Sequence, residues 1–262
     1  MRTSPTHPRP TAERPLTPSV LRHDFGARAA VSHDVVRALH DAIVSSQPAA
    51  LTHWKTSFGK WAGRAIDKLP RELAKLARRY GIAPVAAAPE APLLALQTYY
   101  ALLVTLIARQ FAPGRVDDLL PESPFSWYAA ARSEQIDRQI ARLTDSIGTY
   151  QGPNSALLTD DDCDLFKPLY QDLFPRSLRH QLGEYYTPGW LARHVLDQVG
   201  YDGDPAQRLL DPACGSGTFL LLALRRWRRR ERSGQWTVSS HLFIIHHSSL
   251  IIPARPPSSV ST

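Results

Sequence analysis

Cysteine is nearly absent: Cys163 and Cys214 are the only two in 262 residues. Their wide separation argues against a disulfide framework and against a Cys-rich zinc site. Such sparing use of thiols fits a reducing compartment, and the expectation is a cytoplasmic protein. The N-terminus has no apolar stretch behind its basic residues, so a secretory signal is not expected. No segment offers the about 20 apolar residues of a comfortable membrane span. The most apolar one, Leu93 to Ala108, is interrupted by Gln97, Thr98 and Thr105 and reads as a helix buried inside the protein. No internal repeat is evident. Charge decides little: 31 Lys and Arg against 24 Asp and Glu leave a net +7, which suits a polyanionic partner without requiring one.

What the sequence does contain falls into four stretches. Residues 1–20 hold Pro5, Pro8, Pro10, Pro15 and Pro18 with few large apolar groups, so they bury too little to offset ordering and are expected to be a disordered tail. Residues 21–150 read as a helical domain. Val35, Leu39 and Ile43 repeat every four residues, as do Leu69, Leu73 and Ala77, and Ile136, Ile140, Leu143 and Ile147 extend the pattern. Breaks are expected at Pro48, at Pro70, from Ala83 to Pro92, at Pro113-Gly114 and from Pro121 to Pro124. The plain reading of this stretch is a helical bundle with no chemistry of its own.

Residues 151–232 carry the informative motifs, and 233–262 change character to Ser, His, Ile and Pro. The acidic run Asp160, Asp161, Asp162 and Asp164 reads as a solvated turn, because consecutive carboxylates do not converge on one cation. His241, His246 and His247 lack a scaffold for a metal, so no metal site is expected.

Gly183-Glu184-Tyr185-Tyr186-Thr187-Pro188 precedes a helical pattern. Thr187 suits a helix N-cap and Pro188 the first helical position. Leu191, Val195 and Val199 then form the expected buried stripe. Further on, Leu209-Leu210-Asp211-Pro212-Ala213-Cys214-Gly215-Ser216-Gly217-Thr218 reads as a short buried strand, a tight glycine loop and the start of an apolar helix. Gly215 and Gly217 allow close backbone approach to a ligand, and Asp211 ends the strand where open α/β sheets bind ligands. A phosphate-cradling P-loop needs a Lys after the last glycine, and a dinucleotide fingerprint needs a third glycine where Leu220 stands. A cofactor without a pyrophosphate, such as S-adenosylmethionine, fits better.

These two motifs, with the approach Phe166-Lys167-Pro168-Leu169-Tyr170 to Arg179-His180-Gln181-Leu182, resemble the N6-adenine DNA methyltransferases of Type I and Type IIG restriction–modification and phage defence. The resemblance covers about Asp164 to Leu224. It implies a mostly α N-terminal region followed by the start of an α/β Rossmann-like methyltransferase domain. It also implies methyl transfer from S-adenosylmethionine to adenine N6 in double-stranded DNA, with other restriction–modification subunits as further partners and no membrane. By resemblance, Tyr185, Tyr186, Thr187 and Pro188 flank the cofactor's methionine moiety, while Asp211, Ala213, Cys214, Gly215, Gly217 and Thr218 form the loop beneath it. Cys214 has no His paired with it by any motif, so a nucleophilic role is not expected.

The family's catalytic Asn/Asp/Ser-Pro-Pro-Tyr/Phe/Trp motif, which would hold an extruded base, has no counterpart. Ser123-Pro124-Phe125 lacks the second proline and lies upstream, and Arg255-Pro256-Pro257-Ser258 lacks both flanking residue types. No catalytic residue is therefore assigned, and the expectation is a truncated form with a non-native or disordered tail after Ser233. Two alternatives stay open: a non-enzymatic DNA- or subunit-binding module, and one half of a split methyltransferase. The arginine-rich run Arg225 to Arg232 fits either a helix end stabilised by its dipole or a DNA phosphate contact.

Overall fold

The computed structural model describes residues 14–45, 48–62, 69–83, 85–111, 125–131, 133–152, 164–204, 206–212, 214–232, 244–246 and 249–251. Residues 1–13 of the expected tail, the Pro113-Gly114 and Pro121–Pro124 breaks, and Arg255–Ser258 lie outside them. The chain is mostly helical with little sheet. It divides into two compact units: Met1–Asn154 with Pro168–Gly183, and Ser155–Lys167 with Glu184–Thr262.

The first unit contains β1 (Arg14–Pro15), α1 (Pro18–Phe25), α2 (Ala30–Ser45), α3 (Pro48–Ala62), α4 (Pro70–Arg79), α5 (Ala91–Phe111), α6 (Glu134–Gly148) and β2 (Tyr150–Gln151), then α7 (Lys167–Leu173, its first residue falling to the second unit) and α8 (Arg176–Gln181). The proline breaks are helix starts: α3 begins at Pro48 and α4 at Pro70, where a missing N–H costs nothing. Val35, Leu39, Ile43, Leu69, Leu73, Ala77, Ile136, Leu143 and Ile147 are all buried, as their spacing predicts. Helix α5 packs against α2, α3, α4 and α6. It is long and apolar enough to cross a membrane, but its burial against those helices accounts for the same composition. Its polar interruptions serve its neighbours: Trp54 Nε1 donates to Gln97 Oε1 at 2.8 Å and Trp127 Nε1 to Thr98 Oγ1 at 2.9 Å. An indole N–H taken out of water needs such a partner.

Residues 14–20 of the expected tail are ordered. Leu16 is fully buried, Arg14–Pro15 pairs in parallel with Tyr150–Gln151, and Thr17 caps α1 by accepting from Val20 N at 3.3 Å. A single leucine and a good cap supply the ordering that proline-rich composition hides.

The second unit contains α9 (Gly189–Gln198), β3 (Leu210–Asp211), α10 (Thr218–Arg232), β4 (Ile244–His246) and β5 (Ser249–Ile251). Helices α9 and α10 pack together over Ala192, Leu196, Tyr201, Leu222 and Ala223, with Leu209 and Phe219 against this cluster. The buried stripe of α9 is thus Ala192 and Leu196, and the expected Leu191–Val195–Val199 stripe is wrong: Val195 and Val199 are exposed. One residue of shift turns a helix by about 100°, so the face that α10 covers decides between the two stripes.

Strand β3 is where it was expected, but Leu210 is 61% exposed rather than buried. Side chains alternate along a strand, and Leu209 takes the face toward the helices. The strand order is β3-β5-β4, antiparallel throughout. Of residues 233–262, expected to be a non-native or disordered tail, Ile244–His246 and Ser249–Ile251 are described and form the paired strands β4 and β5.

Candidate cofactor-binding site

The site occupies the second unit, where two loops carry the residues singled out in the sequence. Glu184 to Pro188 runs without regular structure into α9. Tyr185 is 72% exposed, while Tyr186 and Thr187 are half-buried and Pro188 is exposed. Thr187 is not the N-cap. Pro188 occupies that position in extended conformation, no side chain caps the helix, and the Pro188 carbonyl accepts from Leu191 N and Ala192 N at 3.0 Å. The fixed φ of proline is satisfied by this extended entry as well as by a first helical turn.

The glycine loop joins β3 to α10. Asp211 is half-buried at the strand end, Thr218 opens the helix, and Ala213 lies outside the described residues. Cys214 to Gly217 form a turn closed by Gly217 N donating to the Cys214 carbonyl at 2.7 Å. Gly215 and Gly217 have φ of 52° and 85°, in the left-handed region that side chains disfavour. A Cβ on Gly217 would meet nothing within 4 Å, so backbone conformation rather than crowding demands glycine there. Burial, followed by the carboxylate of Asp211, pushes the Cys214 thiol up, the opposite of what an activated nucleophile needs.

Asp164 and Lys167 connect the two loops, a feature the sequence did not disclose. Both oxygens of the Asp164 carboxylate are used. Oδ1 accepts from Phe166 N and Lys167 N, each at 3.0 Å, and Oδ2 accepts from Ser216 Oγ at 2.9 Å. Lys167 Nζ donates to the Thr187 carbonyl at 3.1 Å and stands 5.7 Å from the centre of the Tyr186 ring. Asp160 to Cys163, the rest of the acidic run, lie outside the described residues. Asp164, read from the sequence as part of a solvated acidic turn, is instead committed to these bonds; nothing in the sequence marked Ser216 as its partner, 52 residues on.

Within the arginine run of α10, Arg225, Arg226 and Arg230 are held within the unit. Arg225 is buried. Arg226 donates to the Tyr201 carbonyl at 2.5 Å, the Arg193 carbonyl at 3.1 Å and Asp197 at 2.7 Å. Arg230 pairs with Asp202 and, at 3.4 Å, with Asp204. Hydrogen bonds from Asp204 N and Arg230 hold the Asp202 carboxyl below its ordinary value against partial desolvation. Gly203 lets this loop lie on α10: a Cβ there would stand 2.5 Å from the Arg226 carbonyl carbon, and its φ is 90°.

Residues 163–239 match the sequence model of the family described as N-6 DNA methylase. This segment is similar to the N-6 DNA methylases. It holds both loops, the Asp164–Lys167 connection and the latched arginines. Comparison with curated proteins and with solved structures gave no match.

Proposed function

We propose that the methylase segment binds S-adenosylmethionine between the Tyr185–Pro188 loop and the Asp211–Thr218 loop, in the service of adenine-N6 methylation of DNA. The observation that carries this reading is the convergence of both loops on Asp164 and Lys167 within the matched segment. The β3–turn–α10 order supports reading this stretch as the first strand, loop and helix of a Rossmann-like methyltransferase domain. The residues present fit the cofactor: a turn with an open Gly217 and no P-loop lysine, facing chemistry that needs no phosphate cradle. Tyr185, with its ring exposed, is placed to cover part of a bound ligand. The cofactor would supply the electrophilic methyl group, and the protein would hold and orient it. DNA of a restriction–modification or phage-defence system is the substrate class this reading implies.

The 262 residues contain no Pro-Pro-aromatic motif to hold an adenine, so this reading assigns them cofactor binding and places no methyl-transfer residue among them. A second reading, one half of a split enzyme, is favoured by the exposure of Trp190, Val195, Val199 and Leu210, apolar side chains that a complementary chain would cover. Equilibrium dialysis of the full chain with methyl-labelled S-adenosylmethionine tests the proposal. It predicts saturable binding of one cofactor per chain that NAD and ATP do not displace, and no label transferred to DNA. Absence of binding would refute it. Label appearing in DNA only after mixing with a chain that carries the missing motif would establish the split form.

A further inference from the structure

We infer that Asp164 and Lys167 form a strap that sets the cofactor affinity of this chain by holding the two loops in register, an inference that rests on the cofactor reading above. Neither residue belongs to the two motifs. Each instead grips one of them: Asp164 grips the glycine loop through Ser216, and Lys167 grips the Tyr-Thr-Pro loop through the Thr187 carbonyl and the Tyr186 ring. They stand three positions apart and are themselves tied, since Lys167 N donates to Asp164 Oδ1. One turn of chain therefore links two loops that are about 30 residues apart in sequence.

The geometry explains why the residue types matter. A carboxylate has two oxygens and can start the helix with one while binding a hydroxyl with the other; an alanine can do neither. Lysine brings a long stem and a cation, which can reach a carbonyl and lie near an aromatic ring at once. A ligand that bridges two loops binds more weakly when it must also order them, and a strap removes that cost beforehand. Asp164 and Lys167 are positioning residues, acting through Ser216, Tyr186 and Thr187.

Calorimetric titration of the full chain with S-adenosylmethionine, alongside its melting temperature, tests the strap. Ser216→Ala removes the bridge and leaves the Asp164 cap in place; Lys167→Met keeps the stem and removes the cation. Each is expected to weaken binding about tenfold, the effect of losing one hydrogen bond to a charged group, with little change in melting temperature. Ser216→Thr and Lys167→Arg restore the donor and are expected to restore affinity, which a purely structural defect would not follow. Wild-type affinity in both Ser216→Ala and Lys167→Met overturns the strap and leaves the cofactor reading standing. Failure of the unaltered chain to bind overturns both. If one variant melts early, the other loop's variant and the two conservative replacements carry the decision.

Discussion

The first unit buries a leucine-rich helix against four others, whereas the second closes around Ala192, Leu196, Tyr201, Leu222 and Ala223 and relies on polar latches. Among the described residues, every large hydrophobic side chain recorded as exposed lies in the second unit: Tyr185, Trp190, Val195, Val199 and Leu210. Burying a leucine fully contributes about 1.5–3 kcal/mol, so the two units have different margins. The first is built for stability. The second keeps large apolar side chains at its surface, which contribute less to its stability.

Substitutions should separate the units by size of effect. Leu103→Ala, at a fully buried position of α5, is expected to cost about 2–5 kcal/mol. Hydrogen exchange should show the loss in α2, α5 and α6. If Leu103→Ala were as mild as a surface change, the picture of α5 as the core would fail. Gly203→Ala, facing the Arg226 backbone with φ of 90°, should cost about 1–3 kcal/mol or more through overpacking. Its signature is lost protection in α9 and α10 while α5 stays protected. Loss in both units together would mean that they do not unfold separately.

Acid sharpens the comparison further. Hydrogen bonds from Lys75 and Ser177 hold the Glu72 carboxyl below its ordinary value, despite its burial. A carboxylate whose folded value is lowered contributes its full stability above its unfolded value and loses it as pH falls through the folded one. Glu72→Gln should therefore lower the melting temperature near neutral pH and flatten the acid limb of the first unit's stability profile. An unchanged acid limb would show that Glu72 does not contribute. The smallest effect belongs to Val199→Ser in the second unit: at 69% exposure it should change stability by no more than about 0.5 kcal/mol. A large loss, read by thermal melting, would mean that Val199 is covered after all.

The first unit was legible because its signals are local. Every-fourth-residue leucines and isoleucines mark buried faces, and Pro48 and Pro70 mark helix starts. The second unit was legible in its motifs and not in its packing. Ala192 is too small to announce a buried stripe beside Leu191, Val195 and Val199, and only the seat of α10 reveals it. Leu210 read as core from composition, yet strand alternation puts Leu209 inward instead. Thr187 looked like a cap because its hydroxyl suits one, while the structure uses its carbonyl, which accepts from Lys167 Nζ. The Asp164–Ser216 bond joins residues that no local pattern relates. Contacts of that range depend on the fold, and the sequence shows only their endpoints.

The most direct test of the account is hydrogen exchange of the full chain with and without S-adenosylmethionine. The account predicts slower exchange in two separate peptides, one spanning Tyr185 to Leu191 and one spanning Cys214 to Leu221, with α2 and α5 unchanged. No change in either peptide, or a change confined to the first unit, would contradict it.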